Sequence, residues 1–171
     1  MTSANQDESY RLAVSEHGAA LGRLVRAYEA DPELRRDLLQ DIHIGLWRSF
    51  AGFKGQCSMR TWVYRVAHNI AASHVTRRMR MRKQVSLDML EELPDGENLE
   101  VSTGEKQKLE ALMAMIQTLG PPDRQVILLY LEDLDAAAIS EIVGLKPGAV
   151  ATKIHRIKAV LARRFHERSV S

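Results

Sequence analysis

The feature that constrains this chain most is an acidic stretch, residues 85–105, which carries seven acids and no lysine or arginine. It also contains Pro94, Gly96 and Gly104, which disfavour a continuous helix or strand. The blocks on its two sides, 84 and 66 residues long, have net charges of +6 and +3. This alternation predicts two small domains, 1–84 and 106–171, joined by an acidic flexible linker at 85–105.

Apolar residues in the first block recur at the spacing of helices, and no strand-like alternation is present. The pair Asp31-Pro32 is a strong start signal, with Asp as N-cap and Pro at the first helical position. An apolar stripe of Leu34, Leu38, Ile42 and Leu46 follows it. After a glycine-containing loop at 51–57, we expect Ser58 to cap a second long helix that runs to about Arg82. The fold class indicated is therefore all-α.

The second block predicts four helices, of which the last two form a helix-turn-helix. Asp135 is the expected cap of a short helix from Ala136 to Val143, Gly144 marks a tight turn, and Pro147 begins a longer basic helix. In such motifs the second helix enters the major groove of DNA. The alternative interpretation is a helical hairpin with a solvated basic face. The turn residue and the outward positions of the last helix are Lys146, Gly148, Ala149, Ala151, Thr152, Lys153, His155 and Arg156.

Charge strengthens the link to nucleic acid. From Ile42 to Gln84 the chain carries nine basic residues and no acid, and residues 146–168 carry seven bases against one acid. Clustered lysine and arginine side chains on two modules are typical of proteins that neutralise phosphates. As an alternative for the run 77–83, we keep a solvated helix end.

Other classes of protein find little support. No apolar run approaches the roughly 20 residues of a membrane span, and the N-terminus lacks the pattern of an export signal, so we expect a cytoplasmic location. A single cysteine excludes a disulfide framework, and the six histidines form no zinc-binding helix signature. Without a phosphate loop or nucleophile motif, we expect no enzyme, no metal and no cofactor. A redox switch at Cys57 is a minor alternative, since Lys54 and Arg60 lie nearby in sequence.

Longer motifs in both blocks resemble one family. The segments 119–134, 139–150 and 151–161 look like its promoter-binding domain 4, while 37–48 and 60–71 look like the polymerase-binding and DNA-melting regions of its domain 2. The chain is thus similar to bacterial RNA polymerase sigma factors of the small extracytoplasmic-function type. The resemblance covers about residues 10–84 and 106–166.

The resemblance implies a role for each group of residues. The loop from Phe53 to Ser58 would capture a base flipped from the non-template strand at the minus-ten element. For both Trp47 and Trp62, packing in the core is the alternative to contact with a partner. Contacts to the polymerase clamp would come from Asp37, Gln40, Asp41, Ile44, Trp47 and Arg48. Contacts to minus-ten DNA would come from Phe53, Lys54, Gln56, Cys57, Ser58, Arg60, Trp62, Arg65, His68, Asn69, Arg77 and Arg78. The outward positions of the helix-turn-helix would read the minus-thirty-five element.

The function implied is that of a sigma factor, which binds the beta and beta-prime subunits of core RNA polymerase, recognises promoter DNA and nucleates its melting. An anti-sigma protein is left open as a further partner. Two positions depart from the family pattern: Lys146 replaces a frequent Ser or Thr cap, and Ala151 replaces a frequent base-contacting Arg or Lys. The rival hypothesis is a stand-alone helix-turn-helix regulator with a helical sensing or dimerising N-terminal domain. A purely protein-binding helical bundle would not need basic blocks around an acidic linker.

Overall fold

The computed structural model describes the backbone of residues 3–88 and 104–169, and the side chains of residues 5–81 and 104–167. Within these ranges the chain forms only helices and no strand, so the predicted all-α class is confirmed. Seven helices occur there: α1 (Ser3–Tyr28), α2 (Pro32–Phe50), α3 (Met59–Asp88), α4 (Gly104–Gln117), α5 (Pro121–Leu131), α6 (Ala136–Val143) and α7 (Pro147–Ser169).

The helix boundaries follow local chemistry that the sequence indicates. The carboxylate of Asp31 accepts hydrogen bonds from the N–H groups of Glu33 (2.8 Å) and Leu34 (3.3 Å), which caps α2 as predicted. Asp135 caps α6 through the N–H of Ala138 at 2.8 Å. Gly144 ends α6 with a φ of 74°, a left-handed conformation that glycine adopts without steric cost.

Helix α3 is longer than predicted. It continues past Arg82 to Asp88, since no glycine or proline interrupts the chain between Ser58 and Pro94. Helix α4 begins at Gly104, so both ends of the expected linker are helical. The rest of that linker, 89–103, lies outside the described residues.

Helices α1, α2 and α3 pack against one another and form the N-terminal core. Leu38, Ile42 and Leu46 of the predicted stripe are fully buried, as are Val63 and Ala67 of α3. The α2–α3 contact is close at one position, where a Cβ added to Gly45 would lie 2.3 Å from Ile70 Cδ1. The core of this half is thus shared by its three helices.

Helices α4 to α7 form the C-terminal half, in which the helix-turn-helix of α6 and α7 packs on α5. Ile139 of α6 and Val150 and Ile157 of α7 are buried together with Val126 and Leu129 of α5. Burying this stripe leaves the opposite face of α7 exposed. The packing therefore presents the N-terminal half of α7 outward, as the predicted motif requires.

The two halves are in contact in the structure. Helix α1 packs on α4 and α5, and α3 packs on α5 and α6. Arg124 of α5, only 3% exposed, donates from Nη1 to the backbone carbonyl of Tyr28 at 3.2 Å. Its guanidinium carbon also lies 5.4 Å from the centre of the Tyr28 ring. Among the described helices, none is long and apolar enough for a membrane crossing.

Candidate nucleic-acid interface

The N-terminal half of α7 carries an open groove. Its lining combines small residues with cationic ones, so that a polyanion can approach the helix backbone closely. The groove has a volume of about 360 Å³ and is lined by Gly148, Ala149, Thr152, Lys153 and Arg156. Lys146, Ala151 and His155 are exposed beside it. The structure therefore brings together the residues that the sequence placed on the outward face of this helix.

One acid organises the cations of this groove. Asp123, in the first turn of α5, receives the Lys153 ammonium on Oδ1 and the Arg156 Nη2 on Oδ2, the latter at 2.9 Å. Asp123 lies 30 residues before Lys153, and no sequence signal links them. Sequence reasoning missed this residue because only the packing of α5 on α7 brings it there.

A second basic surface lies along the outer face of α3. Arg77 and Arg80 line an open groove of about 520 Å³ together with Ser73 and Thr76. Arg78, which the resemblance assigned to the same DNA, instead turns inward and binds the carboxylate of Glu29. Arg78 therefore does not contribute to this outer basic surface, although it belongs to the basic run 77–83.

Glu29 is the centre of a buried polar cluster at the end of α1. It is 7% exposed and accepts from His74 Nε2 at 2.9 Å, from the Asp31 N–H at 3.0 Å and from Arg78. Burial raises the pKa of the Glu29 carboxyl, but the hydrogen bonds from His74, Asp31 and Arg78 outweigh burial and hold its pKa below the ordinary value. Arg78 therefore has a structural partner in this arrangement.

His68 is buried, although the resemblance assigned it to minus-ten DNA. It is 1% exposed, and its Nδ1 lies 3.0 Å from the Tyr28 hydroxyl. Burial lowers the pKa of His68 to about 3. Its helix face is covered by the C-terminal half, since His68 lines a 240 Å³ cavity with Leu112 and Leu128. The expected contact of His68 with DNA is therefore blocked in this arrangement of the two halves and stays a prediction.

Two arginines expected at the minus-ten element also face the C-terminal half. Arg60 donates to the backbone carbonyl of Glu132, and Arg65 donates from Nη2 to the carbonyl of Glu141 at 2.6 Å. The Glu132 carboxylate in turn accepts from Arg23 at 2.6 and 2.7 Å and from the Tyr64 hydroxyl at 3.4 Å. In this arrangement, the second domain occupies part of the candidate DNA surface of the first.

The loop between α2 and α3 is anchored at both ends and open in the middle. Phe53 packs on Trp62, with ring centres 5.2 Å apart, and Trp62 Nε1 donates to Ser49 Oγ at 3.0 Å. Ser58 Oγ accepts from the Thr61 N–H at 3.1 Å and so caps α3. Trp62 is therefore a packing residue here. Between the anchors, Lys54 and Gln56 are exposed and Cys57 is half-buried; Asn69 of α3 is exposed as well.

The outer face of α2 exposes two large apolar residues among polar ones. Ile44 is 42% exposed and Trp47 is 40% exposed, so the alternative of a core Trp47 is not what the structure shows. The Trp47 indole N–H donates to Asp7 Oδ1 at 2.8 Å, and Gln6 Nε2 donates to the Trp47 carbonyl at 2.7 Å. The sequence did not indicate that the start of α1 lies against this face. The polar members of the face, all exposed, are Asp37, Gln40, Asp41 and Arg48.

Comparison with known proteins identifies both halves. Residues 13–81 match the family model of sigma-70 region 2, and residues 109–168 match that of sigma-70 region 4. The chain is 26% identical over 171 residues to an "ECF RNA polymerase sigma-E factor" of Haemophilus influenzae, covering 92% of this chain and 88% of that protein. It is 26% identical over 140 residues to the "RNA polymerase sigma factor YlaC" of Bacillus subtilis, covering 77% of each. The match to SigG of Mycobacterium tuberculosis, 28% identical over 150 residues, spans 73% of this chain and 40% of SigG.

Solved structures share the fold. A chain in the structure of CnrH in complex with the cytosolic domain of CnrY superposes on this chain with a TM-score of 0.69 and 17% identity. The match covers 96% of this chain and 92% of the matched chain. The sigma factor RpoE of Bartonella quintana, solved with the anti-sigma factor NepR, gives a TM-score of 0.70 at 16% identity, over 90% and 94% of the two chains. The arrangement of seven helices is thus a known fold.

Proposed function

The chain belongs to the extracytoplasmic-function sigma factors, which direct RNA polymerase to promoters, and from this premise we propose that its two halves divide the work. Residues 1–84 bind core polymerase, recognise the minus-ten element and melt it. Residues 106–171 recognise the minus-thirty-five element, and residues 85–105 connect the two. The order of the two family matches along the chain supports this division.

The minus-thirty-five element is read by the groove of α7. Its small residues, Gly148 and Ala149, let the backbone approach the duplex, while Arg156 offers N–H donors to base edges. The Thr152 O–H donates to the Gly148 carbonyl at 3.0 Å, so its hydroxyl oxygen is offered as an acceptor. This exposed groove, at the helix that follows the turn, is the observation that carries the proposal. Lys153 contributes positive charge for phosphates at the same place.

The minus-ten element is read by the open middle of the α2–α3 loop. Lys54 and Gln56 stand exposed between two anchored ends, which gives a pocket wall of defined position for a flipped base. Arg77 on α3 lies on an open basic groove that suits the phosphates of the adjoining strand. Asn69 is exposed on the same helix and supplies a polar contact.

The outer face of α2 binds core polymerase. Exposed Ile44 and Trp47 offer apolar area, and the surrounding Asp37, Gln40 and Asp41 offer polar contacts at its rim. Large apolar side chains ringed by polar ones are typical of protein interfaces. The protein performs no covalent chemistry of its own and works in the cytoplasm, where polymerase and promoters are found. A protein partner of the anti-sigma kind, such as the one bound to the B. quintana neighbour, is a further candidate ligand.

The two DNA-reading surfaces must move apart when the chain works. Promoter elements centred 10 and 35 base pairs from the start site are about 85 Å apart at 3.4 Å per base pair. A compact chain of 171 residues has a radius of gyration of about 16 Å, which corresponds to a diameter of about 40 Å. We infer that the contact between the halves belongs to the free chain and opens when polymerase binds. Opening frees Arg60 and Arg65 for the melted strand.

Reconstitution tests the function directly. The purified chain is mixed with core polymerase, the complex is isolated by size exclusion, and run-off transcription is measured on a library of genomic promoter fragments. A sigma factor elutes with core polymerase and yields transcripts of defined start. The stand-alone regulator predicts DNA binding without co-elution, and that result would contradict the proposal. The charge-reversed variants D37K and D41K should lose co-elution, whereas E16K, on an exposed site of α1, should retain it.

A further inference from the structure

Asp123 lies outside the helix-turn-helix, but it forms ion pairs with both cationic residues of the α7 groove, Lys153 and Arg156. Its two carboxylate oxygens are divided between Lys153 and Arg156, which are three residues apart on α7 and therefore share a face. Asp123 and Lys153 are largely shielded, with side chains 27% and 23% exposed, whereas the Arg156 side chain is 63% exposed. Asp123 thus holds Lys153 and Arg156 together, and the Arg156 side chain extends into solvent.

We propose that Asp123 is a positioning residue that determines how sharply the chain discriminates among minus-thirty-five sequences. The inference rests on the proposed function, in which α7 reads that element. Asp123 acts through Arg156 and Lys153 and makes no contact with DNA itself.

The flexibility of the Arg156 side chain opposes its ordered contact with a base. A free Arg side chain samples many rotamers, and ordering it on a base costs entropy at the moment of binding. A guanidinium carries five N–H donors, and the bond to Asp123 uses the Nη2 end. Arg156 is therefore held in one orientation while its side chain stays 63% exposed, which suits a bidentate contact to guanine.

The negative charge of Asp123 weakens binding to DNA, whereas its positioning of Arg156 favours binding to the right sequence. The carboxylate lies beside two cations and subtracts one unit of positive charge from the surface that meets the phosphates. Removing that charge strengthens sequence-independent binding, which depends on neutralised phosphates, and steepens its salt dependence. Loss of Asp123 should therefore raise non-specific affinity through charge and also lower the preference at the bases that Arg156 contacts, whereas loss of charge alone would strengthen binding to every sequence alike.

The test uses holoenzyme reconstituted from core polymerase and the full chain. Wild type, D123N, D123E and R156A are each used to select from duplexes randomised across the upstream element, and the enriched sequences are counted. D133N is the matched control, because Asp133 is exposed in the α5–α6 turn at a φ of 59° that Asn also tolerates. Non-specific affinity is measured on a scrambled duplex at several salt concentrations.

We expect R156A and D123N to weaken the base preference at the same positions of the upstream element. D123N should lower that preference about tenfold. D123N should also bind the scrambled duplex about threefold more tightly, with a salt slope steeper by roughly one contact. D123E should restore most of the wild-type preference, and D133N should keep it. Melting temperatures of all variants verify that the domain is folded.

Two results would overturn the inference. If R156A flattens the selected positions and D123N leaves them sharp, Asp123 does not position the reader, although the proposed function stands. If R156A itself changes nothing, α7 does not read bases through Arg156, and both the assignment of that residue and the inference fall.

Discussion

A buried neutral histidine makes the stability of the N-terminal half depend on pH. The pKa of His68 is lowered to about 3 by burial, against an ordinary value near 6.5. Between these values the unfolded chain binds a proton that the folded chain does not, so acid favours unfolding. Stability is fully present above pH 6.5 and falls as pH drops toward 3. Burial lowers the pKa values of His17 and His43 too, which adds to the same trend.

The substitution H68Q should reduce this acid sensitivity. Gln offers a polar atom toward the Tyr28 hydroxyl but takes up no proton. Between pH 7 and pH 5 the wild-type free energy of unfolding should fall by about 2 kcal/mol more than that of H68Q. Urea unfolding at pH 5, 6 and 7 measures this difference. The control is H155Q, at an exposed position of α7, whose curve should run parallel to wild type; a parallel curve for H68Q would contradict the prediction.

Helix α2 lies against α3 at Gly45, a position without a side chain. A Cβ at Gly45 would lie 2.3 Å from Ile70 Cδ1, so that Ile70 must rotate or the helices must separate. Gly22 in α1 has no atom within 4 Å of the corresponding point. Both glycines have a helical backbone conformation, and they differ in the atoms that surround them.

The same substitution should therefore have unequal effects on stability at the two sites. G22A should stabilise the protein by about 0.5–1 kcal/mol, because Ala is the better helix former. G45A should lose much of that gain, because the Cδ1 end of Ile70 must turn away from the new methyl group, and should be less stable than G22A by about 0.5–1.5 kcal/mol. Thermal and urea unfolding of both variants give the comparison. Equal stabilisation by both would show that the α2–α3 contact is looser than it is here.

The α2–α3 loop can be exchanged as a separate unit, because its ends are anchored in the N-terminal core. Grafting residues 54–57 from a relative with a different promoter, while keeping Phe53 and Ser58, should transfer the minus-ten preference to the chimera. Run-off transcription on promoters varied only in that element measures the transfer. The minus-thirty-five preference, set by α7, should remain that of the wild type and serves as the internal control. If the chimera keeps its original minus-ten preference, the reader lies elsewhere, and Asn69 is the next residue to substitute.

On the scale of the whole molecule, Glu132 links the two halves through Arg23 and Tyr64, while its carbonyl receives Arg60. The Arg23 side chain is 57% exposed, and exposed ion pairs contribute about 0–1 kcal/mol. This ion pair therefore contributes only part of the interdomain contact, which also includes the buried hydrogen bond from Arg124 to the Tyr28 carbonyl. We expect the latch formed by Glu132 with Arg23, Tyr64 and Arg60 to delay DNA binding by the free chain and to have no effect in the holoenzyme, where the halves are apart.

Weakening that latch should help the free chain to bind single-stranded DNA. The double variant R23A/E132A preserves net charge and should bind a non-template minus-ten oligonucleotide about two- to fivefold more tightly than wild type, since a loss of about 1 kcal/mol shifts an equilibrium by that order. Fluorescence anisotropy measures the free chain, and the assembled holoenzyme should show no change. R26A/E105A, a charge-preserving pair of exposed residues, is the control. Unchanged binding by the free double variant would mean that the interdomain contact does not restrict the DNA surface.

Local chemistry alone determined the helices and the class of function. Caps such as Asp31 and Asp135 act on the next few N–H groups, and the apolar periodicity of α2 and α7 selects a buried face wherever that helix is placed. Segregated charge likewise gave two basic modules and thus pointed to nucleic acid. The assignment of each contact residue to DNA or polymerase remains a prediction, since the free chain contains neither partner.

Only the tertiary structure decided which basic side chains remain available. Arg78 turns to Glu29, His68 is covered by the C-terminal half, and Asp123 reaches Lys153 and Arg156 across about 30 residues of sequence. Nothing in the spacing along a helix specifies these pairings, because a long polar side chain takes the partner that a neighbouring element brings within about 3 Å. Periodicity is a property of one helix, whereas an ion pair is a property of the angle and register between two. The sequence therefore determined the helices and their basic faces, and the packing determined what those faces can still bind.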